Sequence, residues 1–161
     1  AMQELQDQNL QPDWIVLASS SGGTQAGLVL GAKQTSFPGR ILGISVDKPA
    51  DELTQTIMAL ANQTAAWLGI DKKIESADVL VNDAYCQAGY GILQPAEVEA
   101  IRLFARTEGI LLDPVYTGRA AAGLIDLIRK GFFSPNETVL FWHTGGIPAL
   151  FAEPYASALL G

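Results

Sequence analysis

Short apolar runs alternate with longer amphipathic stretches along the chain, and this pattern predicts strands followed by helices. Strands that alternate with helices in this way form mainly parallel sheets covered by helices on both faces. The sequence therefore predicts an α/β protein, a three-layer αβα sandwich with a mainly parallel sheet. The predicted strands are Trp14 to Ala18, Ile41 to Val46, Val79 to Asn82, Ile110 to Leu112 and Val139 to His143.

The amphipathic stretches predict helices from Ala26 to Lys33, from Asp51 to Leu68, from Pro95 onward and from Gly118 to Lys130. Asp51 is a candidate N-cap because it follows Pro49, whereas Pro95 suits the first turn of its helix. Gly131 can end the last of these helices. The second stretch has one face predicted to be buried, formed by Leu53, Ile57, Leu60, Ala61, Thr64 and Leu68.

Composition and charge exclude several classes of partner. The net charge of −7 repels nucleic acid and anionic membrane surfaces at long range. No apolar run approaches the roughly 18 residues that span a bilayer, and no secretory signal is recognised at the N-terminus, so we expect a cytoplasmic protein. Cys86 is the single cysteine, which excludes an internal disulfide and a cysteine-rich metal site. We therefore expect no metal, no nucleic acid and no membrane partner.

The turn after the first strand is the most informative stretch. Residues 19 to 27 read Ser-Ser-Ser-Gly-Gly-Thr-Gln-Ala-Gly and lead from an apolar run into a predicted helix. Gly22 and Gly23 allow the backbone to direct successive N–H groups at an anion, and the helix start adds positive potential. The turn therefore predicts a phosphate-binding loop. A serine-rich loop capped by Ser21 or Thr24 explains the same residues, and the pattern alone leaves both interpretations open.

Two further polar loops that contain glycine fall at the same edge of the predicted sheet, at residues 112–118 and 143–149. Ligands of parallel sheets bind beyond the carboxyl ends of the strands, where the three loops are expected to meet. The three loops together predict a small-molecule site. We expect His143 to be a hydrogen-bonded support of its loop, and Asp113 and Glu108 to cap backbone groups.

Several motifs resemble one known family. They are Ser-Gly-Gly-Thr-Gln-Ala-Gly (21–27), Ala-Arg-Thr-Glu-Gly (105–109) followed by Asp-Pro-Val-Tyr-Thr-Gly (113–118), Gly-Phe-Phe (131–133) and His-Thr-Gly-Gly-Ile-Pro-Ala-Leu (143–150). In this order they resemble the 1-aminocyclopropane-1-carboxylate (ACC) deaminase and D-cysteine desulfhydrase branch of the fold type II pyridoxal-phosphate enzymes, relatives of the tryptophan synthase β chain. The resemblance implies the large domain of that fold and pyridoxal 5′-phosphate as cofactor.

The resemblance also implies roles for individual residues. Tyr116 would face the substrate near its amino group and Cα, and Tyr90 matches the family's second active-site tyrosine. A phenol of this kind can move a proton or bind the carboxylate of an amino-acid substrate. Thr117 would lie at the pyridine nitrogen. The residues matched to cofactor binding are Ser21, Gly22, Gly23, Thr24, Thr117, Thr144 and Gly145.

Positions 117 and 144 indicate the substrate within this family. ACC deaminases carry glutamate at the first and leucine at the second, whereas this chain has Thr117 and Thr144. A hydroxyl does not enforce a protonated ring nitrogen as a carboxylate does, which suits β-elimination. The pair therefore resembles the desulfhydrases, which convert D-cysteine to pyruvate, ammonia and sulfide. ACC deamination is the alternative, and a noncatalytic phosphometabolite-binding module is the alternative from another class.

The lysine that this chemistry requires has no match. Family members hold the cofactor through a lysine in an Asn-Lys motif, followed by a serine-bearing loop of a small domain, and neither motif occurs here. We expect residues 1–161 to be a single, partial large domain of a longer enzyme, inactive alone and homodimeric at full length. The lysines present are Lys33, Lys48, Lys72, Lys73 and Lys130.

Overall fold

One parallel sheet forms the centre of the computed structural model, which describes residues 1–160. Its strands are β1 (Trp14–Ser19), β2 (Arg40–Ser45), β3 (Leu80–Asn82) and β4 (Val139–Trp142). They lie in the order β3-β2-β1-β4, and every neighbouring pair is parallel. The predicted parallel sheet is confirmed.

Helices cover both faces of this sheet. They are α1 (Met2–Asp7), α2 (Gly23–Thr35), α3 (Ala50–Leu68), α4 (Pro95–Thr107), α5 (Thr117–Arg129) and α6 (Tyr155–Leu160). Alternate side chains of a strand point to opposite faces. In β1, Ile15 and Leu17 therefore pack with α2 and α3, whereas Val16 packs with α5. The predicted three-layer αβα sandwich is confirmed.

The predicted strand from Ile110 to Leu112 is wrong. This segment is an irregular connection between α4 and α5. The N–H of Ile110 donates to the carbonyl of Phe104 at 3.3 Å, so the segment closes the end of α4 instead of joining the sheet. Leu112 is buried, while Ile110 and Leu111 are exposed. Three apolar residues cannot distinguish a short strand from a connection that buries one of them.

Helix α3 begins at Ala50, one residue before the predicted start. Pro49 occupies the N-cap position that was predicted for Asp51. Asp51 instead lies in the first turn, where its negative charge faces the positive end of the helix dipole. Thr64 and Leu68 are exposed, so their predicted burial is wrong. The buried positions of this helix are Leu53, Ile57, Ala61 and Ala65.

Gly43 in β2 leaves room for a side chain from α2. The carboxamide of Gln25 is fully buried, and its Nε2 donates to the carbonyl of Leu80 in β3 at 2.8 Å. A Cβ at position 43 would lie 1.9 Å from Oε1 of Gln25. Gln25 therefore links the first turn of α2 to the two strands beside it.

Gly43→Ala should destabilise the fold, because the added methyl group would displace the Gln25 carboxamide and break its buried hydrogen bond. We expect the free energy of unfolding, measured by urea denaturation, to fall by roughly 1–3 kcal/mol. Gly27→Ala is the matched control, since a Cβ there meets no neighbour within 4 Å among the described residues. Unchanged stability of Gly43→Ala would contradict this packing.

Candidate active site

The three loops singled out in the sequence meet at one cavity. Residues 18–25, Tyr116 and Thr144 line a space of about 270 Å³ beyond the carboxyl end of β1. The larger groove beside Lys33 and Arg40, of about 530 Å³, shares no residue with the three loops. The small-molecule site predicted at this edge of the sheet therefore has a cavity in the structure.

The turn between β1 and α2 requires glycine at position 22. Gly22 has a φ of 82°, and a Cβ there would lie 2.9 Å from Cγ1 of Ile57 in α3. Gly23 differs, because a Cβ at that position meets nothing within 4 Å in the described part of the chain. Helix α3 therefore presses on one side of the turn, while Gly23 borders open space.

The N-terminus of α2 has no side-chain cap within residues 1–160. Its N-cap residue is Gly22, so neither Ser21 nor Thr24 fills that position. The first N–H groups of a helix lack intrahelical acceptors, and such groups bind anions readily. This geometry favours the phosphate-binding interpretation of the turn over the capped loop.

Asp113 fixes the loop that carries Tyr116. Its Oδ2 accepts the backbone N–H groups of Val115 and Tyr116, each at 2.8 Å. Its Oδ1 accepts the N–H and the hydroxyl of Thr117, each at 2.7 Å. The predicted capping role of Asp113 is thus present, and it holds Tyr116 at the start of α5. Glu108, the other residue predicted to cap, has an exposed side chain at the end of α4.

His143 supports the third loop, as predicted. Its Nδ1 accepts the N–H of Gly145, and its Nε2 lies 3.0 Å from the carbonyl oxygen of Leu111. A single neutral tautomer, protonated at Nε2, satisfies both contacts. Gly146 packs on Asp113, since a Cβ at position 146 would lie 2.7 Å from the Cγ of Asp113. These contacts join the second and third loops.

Tyr90 reaches the site through Tyr116. Their hydroxyl groups form a hydrogen bond, and their rings meet edge to face with centroids 5.9 Å apart. This hydrogen bond is the main reason that the pKa of Tyr116 is raised to about 12. At neutral pH Tyr116 therefore keeps its proton and can donate it in a hydrogen bond.

Thr117 and Gly145 lie beside the cavity but not in its lining, as far as residues 1–160 describe it. Thr117 is buried, and its hydroxyl both donates to Asp113 Oδ1 and accepts the N–H of Asp113 at 2.9 Å. Gly145 uses its N–H on His143. The contacts of both residues with a cofactor stay predictions.

Comparison with known proteins decides the family. A family model described as pyridoxal-phosphate dependent enzyme matches residues 1–145. The chain belongs to the pyridoxal-phosphate dependent enzymes. It has 39% identity over 140 residues with the ACC deaminase of Burkholderia vietnamiensis (strain G4 / LMG 22486), covering 87% of this chain and 41% of that protein. With the ACC deaminase of Pseudomonas syringae pv. tomato the identity is 36% over 143 residues, covering 89% and 42%.

A solved structure agrees with this assignment. The crystal structure of an ACC deaminase homologue superposes with a TM-score of 0.85 at 38% identity, covering 99% of this chain and 47% of that one. The fold is that of the fold type II pyridoxal-phosphate enzymes, as the motifs implied. The chain spans less than half the length of the relatives that it matches.

The cavity suits the phosphate of pyridoxal phosphate. Drug-sized ligands occupy pockets of roughly 300–1,000 Å³, and this cavity of about 270 Å³ fits a smaller group. The hydroxyl of Ser19 is buried in the cavity wall without a hydrogen-bond partner in the described chain. Buried hydroxyl groups are rarely left unpaired, so this one is available to a bound anion. Together with the uncapped N–H groups of α2, it would offer donors that fit the phosphate of pyridoxal phosphate.

No lysine lines this cavity within residues 1–160. Lys33 pairs with Asp78 at 2.5 Å, and Lys130 pairs with Asp126 at 2.6 Å. Lys48 and Lys73 lie 3.6 and 3.7 Å from glutamate oxygens. A pyridoxal-phosphate dependent enzyme needs an uncharged lysine beside the cofactor, and these lysines do not meet that requirement.

Sequence reasoning missed Ser19 as an unpaired hydroxyl and missed a buried ion pair. Arg119 in α5 and Glu97 in α4 pair at 2.9 Å, with side chains 0% and 4% exposed. The available signal was a charged residue at position 119 directly before the apolar run Ala120–Ala122. That signal indicates burial but gives neither the partner nor the purpose.

The described helices include none that is long and apolar enough to cross a membrane. Among the same residues, no three or more His, Cys, Asp or Glu side chains are grouped to hold a metal ion. Cys86 is buried, with its Sγ 3.2 Å from the carbonyl oxygen of Asp83.

Gly22→Ala should lower stability and phosphate affinity together, because alanine is strained at this φ and its methyl group meets Ile57. We expect a loss of about 1–3 kcal/mol in the free energy of unfolding, with weaker pyridoxal phosphate binding by equilibrium dialysis. Gly23→Ala is the matched variant, since its methyl group enters open space. It should keep the fold and weaken binding alone. A stable Gly22→Ala that binds normally would contradict the assigned role of the turn.

Tyr90→Phe should return the pKa of Tyr116 from about 12 toward its ordinary 10.0. Because the folded state binds this proton more tightly, the stabilisation from the tyrosine pair is present below pH 10 and is lost as the pH rises toward 12. The ultraviolet absorbance of tyrosinate measures the titration. Tyr85→Phe, which removes the separate hydrogen bond to Asp126, is the control and should leave Tyr116 unchanged.

Proposed function

We propose that this chain is the phosphate-binding part of a pyridoxal-phosphate dependent enzyme that releases ammonia from a small amino acid. The observation that carries the proposal is the convergence of the turn 18–25, Tyr116 and Thr144 on one cavity. Relatives named ACC deaminase support the reaction class.

The residues of this chain would divide the work between cofactor and substrate. The backbone N–H groups of Gly23 and Thr24, with the hydroxyls of Ser19, Ser21 and Thr24, would hold the phosphate. Bound pyridoxal phosphate would supply an electron-withdrawing ring that stabilises the negative charge developing at the Cα of an amino acid. Tyr116 would hold a proton at its Oη beside the substrate, and the half-exposed Tyr90 would exchange that proton with solvent.

Two substrates have separate support. The names of the relatives favour ACC and give no support to D-cysteine, the substrate predicted from the sequence. Position 144 favours D-cysteine, because Thr144 lines the cavity where the resemblance has leucine in ACC deaminases. Both substrates are therefore part of the proposal.

The deciding experiment compares the turnover of ACC and of D-cysteine by the full-length enzyme that contains this chain, loaded with pyridoxal phosphate. Both substrates release ammonia, but D-cysteine alone also releases sulfide. Faster turnover of ACC would exclude the desulfhydrase preference. Binding of pyridoxal phosphate without a Schiff-base absorbance band, and with no turnover of either substrate, would favour the noncatalytic phosphometabolite-binding module.

Thr144→Leu should change the preference in a defined direction. Loss of a hydroxyl contact worth about 1 kcal/mol lowers kcat/KM for D-cysteine roughly 5-fold relative to that for ACC. Thr144→Ser keeps the hydroxyl and is the matched control, expected to keep the ratio. An unchanged ratio in Thr144→Leu would show that position 144 does not select the substrate.

The proposal extends to the oligomeric state of the full-length enzyme and to the lysine that forms the Schiff base. The resemblance supports a homodimer at full length, which light scattering coupled to size-exclusion chromatography would test. A lysine of the full-length enzyme other than those in residues 1–161 would form the Schiff base, since the lysines of this chain do not line the cavity. The cytoplasmic location stays a prediction.

A further inference from the structure

Arg119 is a fully buried cation whose contacts all lie near the tyrosine pair. It belongs to the first turn of α5, three positions after Tyr116. Its Nε donates to Oε1 of Glu97 at 2.9 Å, and its Nη1 donates to the carbonyl of Val46 at 2.6 Å. The remaining contacts go to the loop of residues 89–92, which carries Tyr90.

The guanidinium holds this loop at both ends. Nη1 donates to the carbonyl of Gly89 at 3.0 Å, and Nη2 donates to the carbonyl of Ile92 at 2.8 Å. Tyr90 lies between these anchors, flanked by Gly89 and Gly91, whose φ values are 96° and 72°. The hydroxyl of Tyr155 donates to the carbonyl of Gly91 at 2.6 Å. The backbone around Tyr90 is therefore held at three of its carbonyl groups.

Fold stability alone does not require an arginine at this place. A buried ion pair can usually be replaced by apolar side chains of similar volume with little loss of stability. The planar guanidinium presents five donors in a fixed geometry. Here these donors reach acceptors in Val46 directly after β2, in the loop 89–92 and in α4. Lysine has a single nitrogen and cannot hold such separated acceptors together.

We infer that Arg119 is a positioning residue that sets the hydroxyl of Tyr90 against the hydroxyl of Tyr116. The same helical turn then carries one phenol and fixes the loop that carries the other. The catalytic meaning of this arrangement rests on the proposed function, whereas the arrangement itself does not. Glu97 completes it, because its Oε1 pairs with Arg119 and its Oε2 accepts the N–H of Gln94.

The test measures the tyrosine pair in the full chain without substrate or cofactor. All tyrosines are replaced by 3-fluorotyrosine, whose more acidic phenol titrates where the protein stays folded, and each ¹⁹F resonance is assigned with single Tyr→Phe variants. The double variant Arg119→Met, Glu97→Gln removes the clamp without leaving a charge buried alone. We expect it to remove most of the rise in the pKa of Tyr116, as Tyr90→Phe does, and we expect Tyr90→Phe to add little in its presence.

Internal controls separate positioning from a general loss of structure. The hydroxyl of Tyr85 donates to Oδ2 of Asp126, a residue of α5, at 2.6 Å. The titration of Tyr85 should therefore stay unchanged in the clamp variants. Arg129→Met breaks the exposed pair with Glu99 at the other end of α5 and should leave Tyr116 unchanged. Arg119→Lys keeps the positive charge beside Glu97 and is the variant to use if the double variant does not fold. It should remove part of the rise in the pKa of Tyr116.

The outcomes distinguish the inference from the proposed function. If the clamp variants unfold more easily while Tyr116 titrates as in the unmodified chain, Arg119 is a structural residue and the inference is wrong. If the pKa of Tyr116 shifts as expected but the full-length enzyme turns over neither ACC nor D-cysteine, the inference holds and the proposed function fails.

Discussion

Asp113 lies where the second and third loops of the site meet, and its carboxylate accepts three backbone N–H groups and one hydroxyl within residues 115–117. A buried carboxylate is costly unless its oxygens are satisfied. Here the loop supplies all of these donors itself, so its shape follows from satisfying one charge. That shape places Tyr116 at the cavity and leaves a surface on which only glycine fits at position 146. The cavity could not form in this way without Asp113.

A second buried charge acts on the other side of Tyr116. Arg119 satisfies its donors on carbonyl groups of separate segments, whereas Asp113 satisfies its acceptors within one loop. Both side chains therefore bind several backbone groups of irregular segments and give these segments a fixed conformation. Catalytic side chains on loops need such support, because a displacement of about 1 Å can cost much of the rate. Asp113 and Arg119 therefore hold the tyrosine pair in position at an edge of the sheet that is otherwise formed by loops.

The sequence predicted the parts of the fold that depend on local pattern. The apolar run before the turn, the paired glycines at 22 and 23 and the polar loop at 143 were each visible as short segments, and parallel topology brought them together. The strand at 110–112 was predicted wrongly because three apolar residues carry no periodicity. The contacts of Arg119 could not be predicted, because most of its acceptors are backbone carbonyls of distant segments. The sequence does not show which carbonyl groups need a donor. The fit between Gly43 and Gln25 escaped for the same reason, since it depends on how α2 lies on β2.

Under the proposed function, the contacts of this chain would separate recognition of the cofactor from selection of the substrate. The turn offers backbone N–H groups and hydroxyls, which recognise a phosphate in the same way whatever amino acid is bound. The groups that could distinguish substrates are therefore the two lining residues outside the turn, Tyr116 and Thr144. Of these, Tyr116 is held by Asp113 and Tyr90 and has little freedom to vary, whereas Thr144 is exposed. Under the proposed function, substrate preference then rests on position 144, where a change of side chain leaves the contacts that hold Tyr116 in place.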